Sequence, residues 1–441
     1  MLFAHALVQD AIYASMTQSG RQTRHRGIVN DMANSEENLR PEPHILAWHY
    51  ERAGDYAAAG HHFFLAGIAS AGRGAAGEAL AHLEDGLKAV SHMKSGSARD
   101  QLELQLLSVR GPTLMVTRGP GNPDFGATQA KAMDLVNRLG NHNDMVPVIY
   151  NSALNAWAVA DLDRALSTAR EINDIYRQSP TDAAYLSSNT MRGLIFWHQG
   201  NNVMALEALS ATTTRHDPKV HGPLYGQFLK EFGVFSHFYT GLTHAVMDNH
   251  QAAAESADRA IALADTLGFP HARGFALLAQ FNTALLAGDI EKTQKTSSQA
   301  FEFASSQGFP EFAAMATFAK GWTKTQTGDQ SAGIDDMREG LEAWAATGFM
   351  CWQALFAGFL GRELVRAEQY ESAETLITDY LTKVESSGER QMLPLLLLAL
   401  SELQAKQGDI AAARAAKDEG LVVAEQQEGL LWVSALEQHR V

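Results

Sequence analysis

The hydrophobic pattern shows no strand-like alternation anywhere along the chain; apolar runs are instead punctuated by a recurring polar turn. The turn strings are VADLDRA from Val159, QGNNVMA from Gln199, MDNHQAA from Met247, AGDIEKT from Ala287, TGDQSAG from Thr327, AEQYESA from Ala367 and QGDIAAA from Gln407. Their third residues, Asp161, Asn201, Asn249, Asp289, Asp329, Gln369 and Asp409, are spaced 40, 48, 40, 40, 40 and 40. A second marker, LGFP at 267, QGFP at 307, TGFM at 347 and SGER at 387, keeps the same step. Two markers in fixed phase predict two elements per unit.

Both elements read as helices. The turn Asp or Asn can cap the orphan N–H groups of a following helix. Gly268, Gly308, Gly348 and Gly388 suit the left-handed position after a helix, with Phe269, Phe309 and Phe349 placed for the accompanying apolar contact. Pro270 and Pro310 suit a first helical turn. The unit is thus a hairpin of helices of about 17 residues, a length set by the spacing of the markers. Eight residues before each turn residue lie Ala153, Gly193, Gly241, Phe281, Gly321, Gly361 and Ser401; four after it lie Ala165, Ala205, Ala253, Thr293, Gly333, Ala373 and Ala413. This pairing of small residues resembles tetratricopeptide repeats in a long-helix form, with Phe281 and Thr293 departing from it together. The implied fold is all-α, a right-handed superhelical solenoid with a 40-residue period. AGDYAAA from Ala53, RGAAGEALAHL from Arg73 and GPGNPDFGATQA from Gly119 extend it towards the N-terminus, with a polar loop at 92–98. Eight or nine hairpins are expected from about 44 to 427, then a closing helix. We divide the chain into residues 1–40, a helical remnant, and 41–441, the solenoid.

Charge narrows the function. Lys and Arg number 35 against 50 Asp and Glu, a net −15, so the basic stripe needed for nucleic acid is not supplied. The single cysteine, Cys351, excludes an intramolecular disulfide, reads as a buried free thiol and fits a reducing, cytoplasmic setting. The most apolar run, MLPLLLLAL from Met392, is too short to cross a membrane and reads as a buried helix. No phosphate loop, dinucleotide fingerprint or H-E-x-x-H motif occurs. His44 and His49 form only a weak metal pair, so no catalytic residue, metal or cofactor is expected.

In tetratricopeptide solenoids one face of the first helices lines a concave groove. The corresponding positions here are Tyr150, Leu154 and Trp157; Leu194, Trp197 and His198; Phe235 and Phe238; Phe275 and Asn282; Phe318 and Trp322; Arg362 and Arg366; Glu402 and Lys406. The stripe is aromatic in the middle and charged in its last third. It suits a peptide or a flat small molecule as a groove; the alternative, that these aromatics are inter-repeat core, is the weightier of the two.

The strings FAHALVQDAIYASMTQSGRQTRHRGIVNDM from Phe3, HILAWHYERAGDYAAAGHHFFLAG from His44, LGFPHARGFALL from Leu267 and GWTKTQTGDQSAGIDDMREGLEAWAATG from Gly321 resemble a family of bacterial multidomain regulators. These join a class III adenylate/guanylate cyclase, a STAND-type P-loop ATPase and a C-terminal tetratricopeptide array. The resemblance implies that residues 1–40 correspond to the end of the ATPase winged-helix region, with His5 near its nucleotide. It further implies that this chain is the non-catalytic sensor or scaffold end of such a regulator, split from its enzymatic domains. The expected partner is a protein, a cyclase/P-loop ATPase module in cis or trans; the alternatives are a small-molecule effector, or an adenylate cyclase or ATP-binding label by parentage alone.

Overall fold

Each polar turn stops one helix and starts the next with the same backbone device. In the computed structural model, which describes residues 13–33, 42–73, 75–119, 121–140, 145–228 and 230–441, the residue before the turn Asp, Asn or Gln is left-handed. It is Gly200, Gly288, Gly328 or Gly408 at four turns and Ala160, Asp248 or Glu368 at the other three. The kink brings the next N–H onto the carbonyl five residues back: Asp161 N to Ala156 O (2.8 Å), Asp289 N to Ala284 O (3.0 Å), Asp409 N to Gln404 O (3.0 Å). One orphan carbonyl of the first helix is thereby satisfied. Asp161, Asn249, Asp289 and Asp409 then cap the second helix, each accepting from the backbone N–H three residues on, whereas Asn201, Asp329 and Gln369 make no such bond. The second marker behaves as expected: Gly268, Gly308, Gly348 and Gly388 have φ between +69° and +76°, and Pro270 and Pro310 open their helices.

Among the described residues the chain is helical, without strands, an all-α solenoid. It divides into two units, residues 1–113 with 131–141, and residues 114–130 with 142–441. In the first, Gln18–Ala33, Pro43–Ala53, Tyr56–Gly72 and Ala76–Ser91 follow in order. Leu83 and Val90 pack on Leu102 and Leu106 of the next helix, across the loop expected near 92–98. Residues 1–12, including His5, and residues 34–41 lie outside the described residues.

The second unit contains the regular hairpins, Val146–Ala158 with Leu162–Gln178, Asp182–His198 with Asn202–Arg215, Phe232–Val246 with His250–Leu267, and Pro270–Leu286 with Ile290–Gln307. Pro310–Gln326 with Gln330–Ala346, Gln353–Arg366 with Tyr370–Ser387, and Leu393–Gln407 with Ile410–Gln426 complete them, and Leu430–Gln438 closes the stack. The small pairs let backbones touch: a Cβ on Gly321 would lie 2.7 Å from both Gly333 O and Met337 N. The departure at Phe281 and Thr293 is absorbed, both residues being fully buried and the Thr293 hydroxyl turning back to donate to Asp289 O (2.7 Å). The 48-residue interval holds three extra short helical segments, Pro218–His221, Gly222–Leu224 and Tyr225–Phe228.

This unit winds back on itself. Met350 N donates to Ala158 O (2.7 Å) and Gln391 N to His198 O (3.0 Å); Asn202 Nδ2 donates to Gln427 O (2.8 Å), 225 residues away. Gly121 and Gly348 cross so closely that a Cβ on Gly121 would sit 1.8 Å from Gly348 O. A turn of the superhelix thus takes about five 40-residue repeats.

Two substitutions test the backbone argument. Gly321→Ala should cost about 1–3 kcal/mol by forcing apart two helix backbones, outweighing the helix-propensity gain of about 1 kcal/mol. Glu368→Gly, at an exposed position with φ +59°, should gain about 0.5–1 kcal/mol by relieving left-handed strain. Urea midpoints at constant m-value read both.

Candidate functional site

The stripe of first-helix residues is continuous in space, but most of it faces inward. Tyr150, Trp157, Trp197, His198, Phe238, Asn282 and Trp322 are all buried, as are Leu154, Leu194, Phe235, Phe275 and Phe318. Arg362 is half-buried and Arg366 exposed. What covers the aromatics comes from another part of the chain, the segment Phe349-Met350-Cys351-Trp352. Phe349 meets Trp157 edge-on at 4.7 Å; Trp352 lies 4.9 Å from Trp197 and stacks 5.7 Å from Phe238. Trp352 Nε1 donates to Tyr239 Oη (3.3 Å). Trp352 is held at φ +76°, a conformation costing about 1–3 kcal/mol for a bulky residue. The sequence signal for this segment is the marker TGFM, which lacks the proline of the two markers before it, and the next helix is delayed to Gln353.

The stripe reaches solvent at its C-terminal end. Arg362 grips Glu402 through Nε and Nη2 (2.7–3.1 Å), and Arg366 Nη1 pairs with Glu363 Oε1 (2.6 Å). Beyond them an open cleft of about 620 Å³ is lined by Arg366, Lys406, His439 and Arg440 together with Glu368, Glu402, Tyr370 and Ile410. Lys406 and Arg440 are exposed. His439 and Arg440, from the closing end of the chain, were not among the expected groove residues, because they belong to no repeat.

Inside, a cavity of about 30 Å³ is bounded by Trp157, Phe238, Trp352 and Phe275 together with three ionisable side chains, Lys230, His271 and Glu311. That is room for about two water molecules at 10–15 Å³ each. Lys230 follows the extra segment of the 48-residue interval, so the one irregular spacing carries the cation inward. Its Nζ packs over Phe275 (4.2 Å) and Phe235 (4.7 Å), and His271 Nε2 lies 3.7 Å from Glu311 Oε1. Among the described residues Glu311 Oε2, Asn282 Oδ1, Tyr150 Oη and Trp157 Nε1 are buried without a hydrogen-bond partner. Burial pulls the Lys230 ammonium down to about 7, against the attraction of Glu311. It pushes the Glu311 carboxyl up to about 7, against its backbone hydrogen bond and Lys230. Burial, then the Lys230 charge, holds His271 well below its ordinary value.

These shifts have a definite sign. Glu311 binds its proton more tightly when folded, so its contribution is full below 4.5 and lost as pH rises to about 7. Lys230 binds its proton less tightly, so its contribution is lost as pH falls from 10.5 to about 7. The urea-unfolding free energy should therefore dip near pH 7. Lys230→Met should abolish the recovery above pH 7 and leave the fall below it, and Glu311→Gln should do the reverse.

No protein-family model matches the chain, and no curated protein does. Solved structures do resemble it. A Rap protein complexed with Competence and Sporulation Factor superposes with a TM-score of 0.59 at 11% identity, covering 85% of this chain and 99% of that one. The APC/C hetero-tetramer Cut9-Hcn1 gives a TM-score of 0.45 at 11% identity, covering 97% and 88%. A STAND protein with a tetratricopeptide repeat sensor from Pyrococcus horikoshii gives 0.42 at 11% identity, covering 98% and 68%. At such identity the likeness to the Rap protein is one of fold.

Proposed function

We propose that this chain is a non-catalytic helical-repeat module of signal transduction that holds a protein partner at the open C-terminal end of its concave stripe. The cleft carries the reading: it is the place where the stripe is both polar and open, and it mixes exposed cations, Lys406 and Arg440, with apolar lining residues. Charged groups of this kind steer encounter and set register, while a few apolar contacts supply affinity. The Rap likeness supports the reading as a fold that is found in complex with another factor. The partner we propose is a cyclase/P-loop ATPase module, on the strength of the N-terminal and repeat strings that resemble such regulators. No helix among the described residues is long and apolar enough to cross a membrane.

A second reading has its own support. The unpartnered Glu311 Oε2 beside Lys230 suits a small polar effector admitted when the seam between successive turns of the superhelix loosens, with tryptophan fluorescence as its readout.

The docking reading is tested by isothermal titration of the full chain with a cyclase/P-loop ATPase module taken from a regulator of the family these strings resemble. Lys406→Glu with Arg440→Glu should weaken binding about tenfold or more, mainly through the on-rate, with an unchanged circular dichroism spectrum. Equal affinity in wild type and double variant would remove the cleft as the docking surface; no binding by wild type would remove this partner.

A further inference from the structure

Winding brings Cys351, the chain's one thiol, beside two other metal-ligating side chains from distant hairpins. The ligand atoms of His198, Cys351 and Glu389 lie within 4.8 Å of one another and all three residues are buried. His198 closes the helix Asp182–His198, Cys351 lies on the covering segment, and Glu389 follows the left-handed Gly388. We propose that these three residues bind one divalent ion of the zinc class, and that the ion clamps successive turns of the solenoid.

The donor set suits that ion. Thiolate, imidazole and carboxylate together select a borderline-soft cation over magnesium or calcium. One thiolate and one carboxylate neutralise a 2+ ion, leaving no net charge in a buried site, the condition under which burying ions is tolerable. Bonds of about 2.0–2.3 Å put tetrahedral ligand atoms about 3.3–3.8 Å apart. His198 Nδ1 and Glu389 Oε1, now hydrogen-bonded at 2.9 Å, would part by about 0.4 Å or more to admit the ion, and all three ligand atoms lie within 4.8 Å of one another, so the shifts needed are of rotamer scale. Three protein ligands leave the fourth position to water.

The surroundings aim the ligands. Tyr239 Oη lies 3.4 Å from His198 Nε2, on the far side of the ring, where it can accept the Nε2 proton and leave the Nδ1 lone pair for the ion. Trp352 N–H donates to Glu389 Oε1 (2.7 Å) from its strained left-handed backbone, and Ser387 Oγ accepts from Glu389 N (3.2 Å). Cys351 Sγ sits 2.9 Å from Trp157 O as a thiol. Binding replaces the S–H bond by a metal–sulfur bond and releases that proton to solvent; the imidazole and carboxylate contribute lone pairs, and no electron changes hands. The ligands belong to both sides of the seam, His198 Nδ1 and Glu389 Oε1 being 191 residues apart in sequence, so the metal bonds tie one superhelical turn to the next.

The test uses the full chain, stripped with a chelator and titrated with Co²⁺ and then Zn²⁺. One equivalent of Co²⁺ should give a thiolate-to-cobalt charge-transfer band, and Zn²⁺ should bleach it. With a single cysteine in the chain that band can arise only at Cys351, so surface histidines cannot mimic it. Zn²⁺ at 100 times its dissociation constant should raise the unfolding midpoint, and Glu389→Gln should weaken Co²⁺ binding at least tenfold. A wild-type titration without the band overturns the proposal, as does a Cys351→Ser chain that folds and takes up Zn²⁺ with unchanged affinity. If Cys351→Ser does not fold, the wild-type cobalt spectrum decides alone.

Discussion

The structure of the second unit depends on the seam where the solenoid meets its own previous turn. A stack of hairpins with neighbour contacts alone leaves its concave face to solvent. Here Met350 N on Ala158 O and Gln391 N on His198 O hold residues about five repeats apart at backbone hydrogen-bond distance. The Gln391 amide, fully buried, lies within 3.1 Å of Trp197 Nε1 and O. With those turns of the superhelix in register, the aromatic part of the stripe is buried between them. The space there must be filled with side chains, because voids in a protein interior forfeit dispersion contacts. The aromatic stripe fills it, and the covering segment at 349–352 completes the packing.

That dependence explains what the sequence reveals. The 40-residue period, the left-handed glycines, the N-terminal prolines and the small pairs at helix crossings are local chemistry, decided within a few residues of where they are read. They are legible for that reason. Whether Trp197 faces solvent or core is decided by Trp352, in a different hairpin, and by the curvature accumulated over the repeats between them. Helical periodicity assigns both fates to the same face, so the stripe Tyr150 to Trp322 could be named but not its burial. The charged end, Arg362 to Lys406, was legible as polar, while its continuation into His439 and Arg440 lies outside any repeat. Cys351 read as a buried thiol, which it is; its neighbours His198 and Glu389 share no local motif with it.

The irregular 48-residue interval shows the same logic from the other side. An insertion in a repeat array usually becomes a loop on its surface. This one ends in Lys230, whose Nζ lies over two phenylalanine rings beside Glu311. Burying a cation and a carboxylate is rarely favourable against an apolar pair of equal size, and burial accordingly draws both groups towards neutrality. The interior is therefore held together by aromatic packing and seam hydrogen bonds, with the ionisable cluster a local cost that the surrounding structure carries.

One helix joins the closed part of the stripe to the open part. Gln353–Arg366 begins beside Trp352, at the seam, and ends at Arg366, in the cleft. Its 14 residues make a rod about 21 Å long at 1.5 Å per residue, stiff over that length. A tilt that loosened Trp352 from Trp197 and Phe238 would move Arg366 relative to Lys406 on the next hairpin, and the partner proposed above, if it drew those cations together, would load the seam. Were the solenoid to have a second winding, such coupling would be reciprocal, and its size would be the difference in the partner's affinity for the two. Tight binding to both windings alike would transmit nothing. For the partner proposed above, the tightness of the seam would set how much of its binding free energy could appear as a change in the solenoid's curvature.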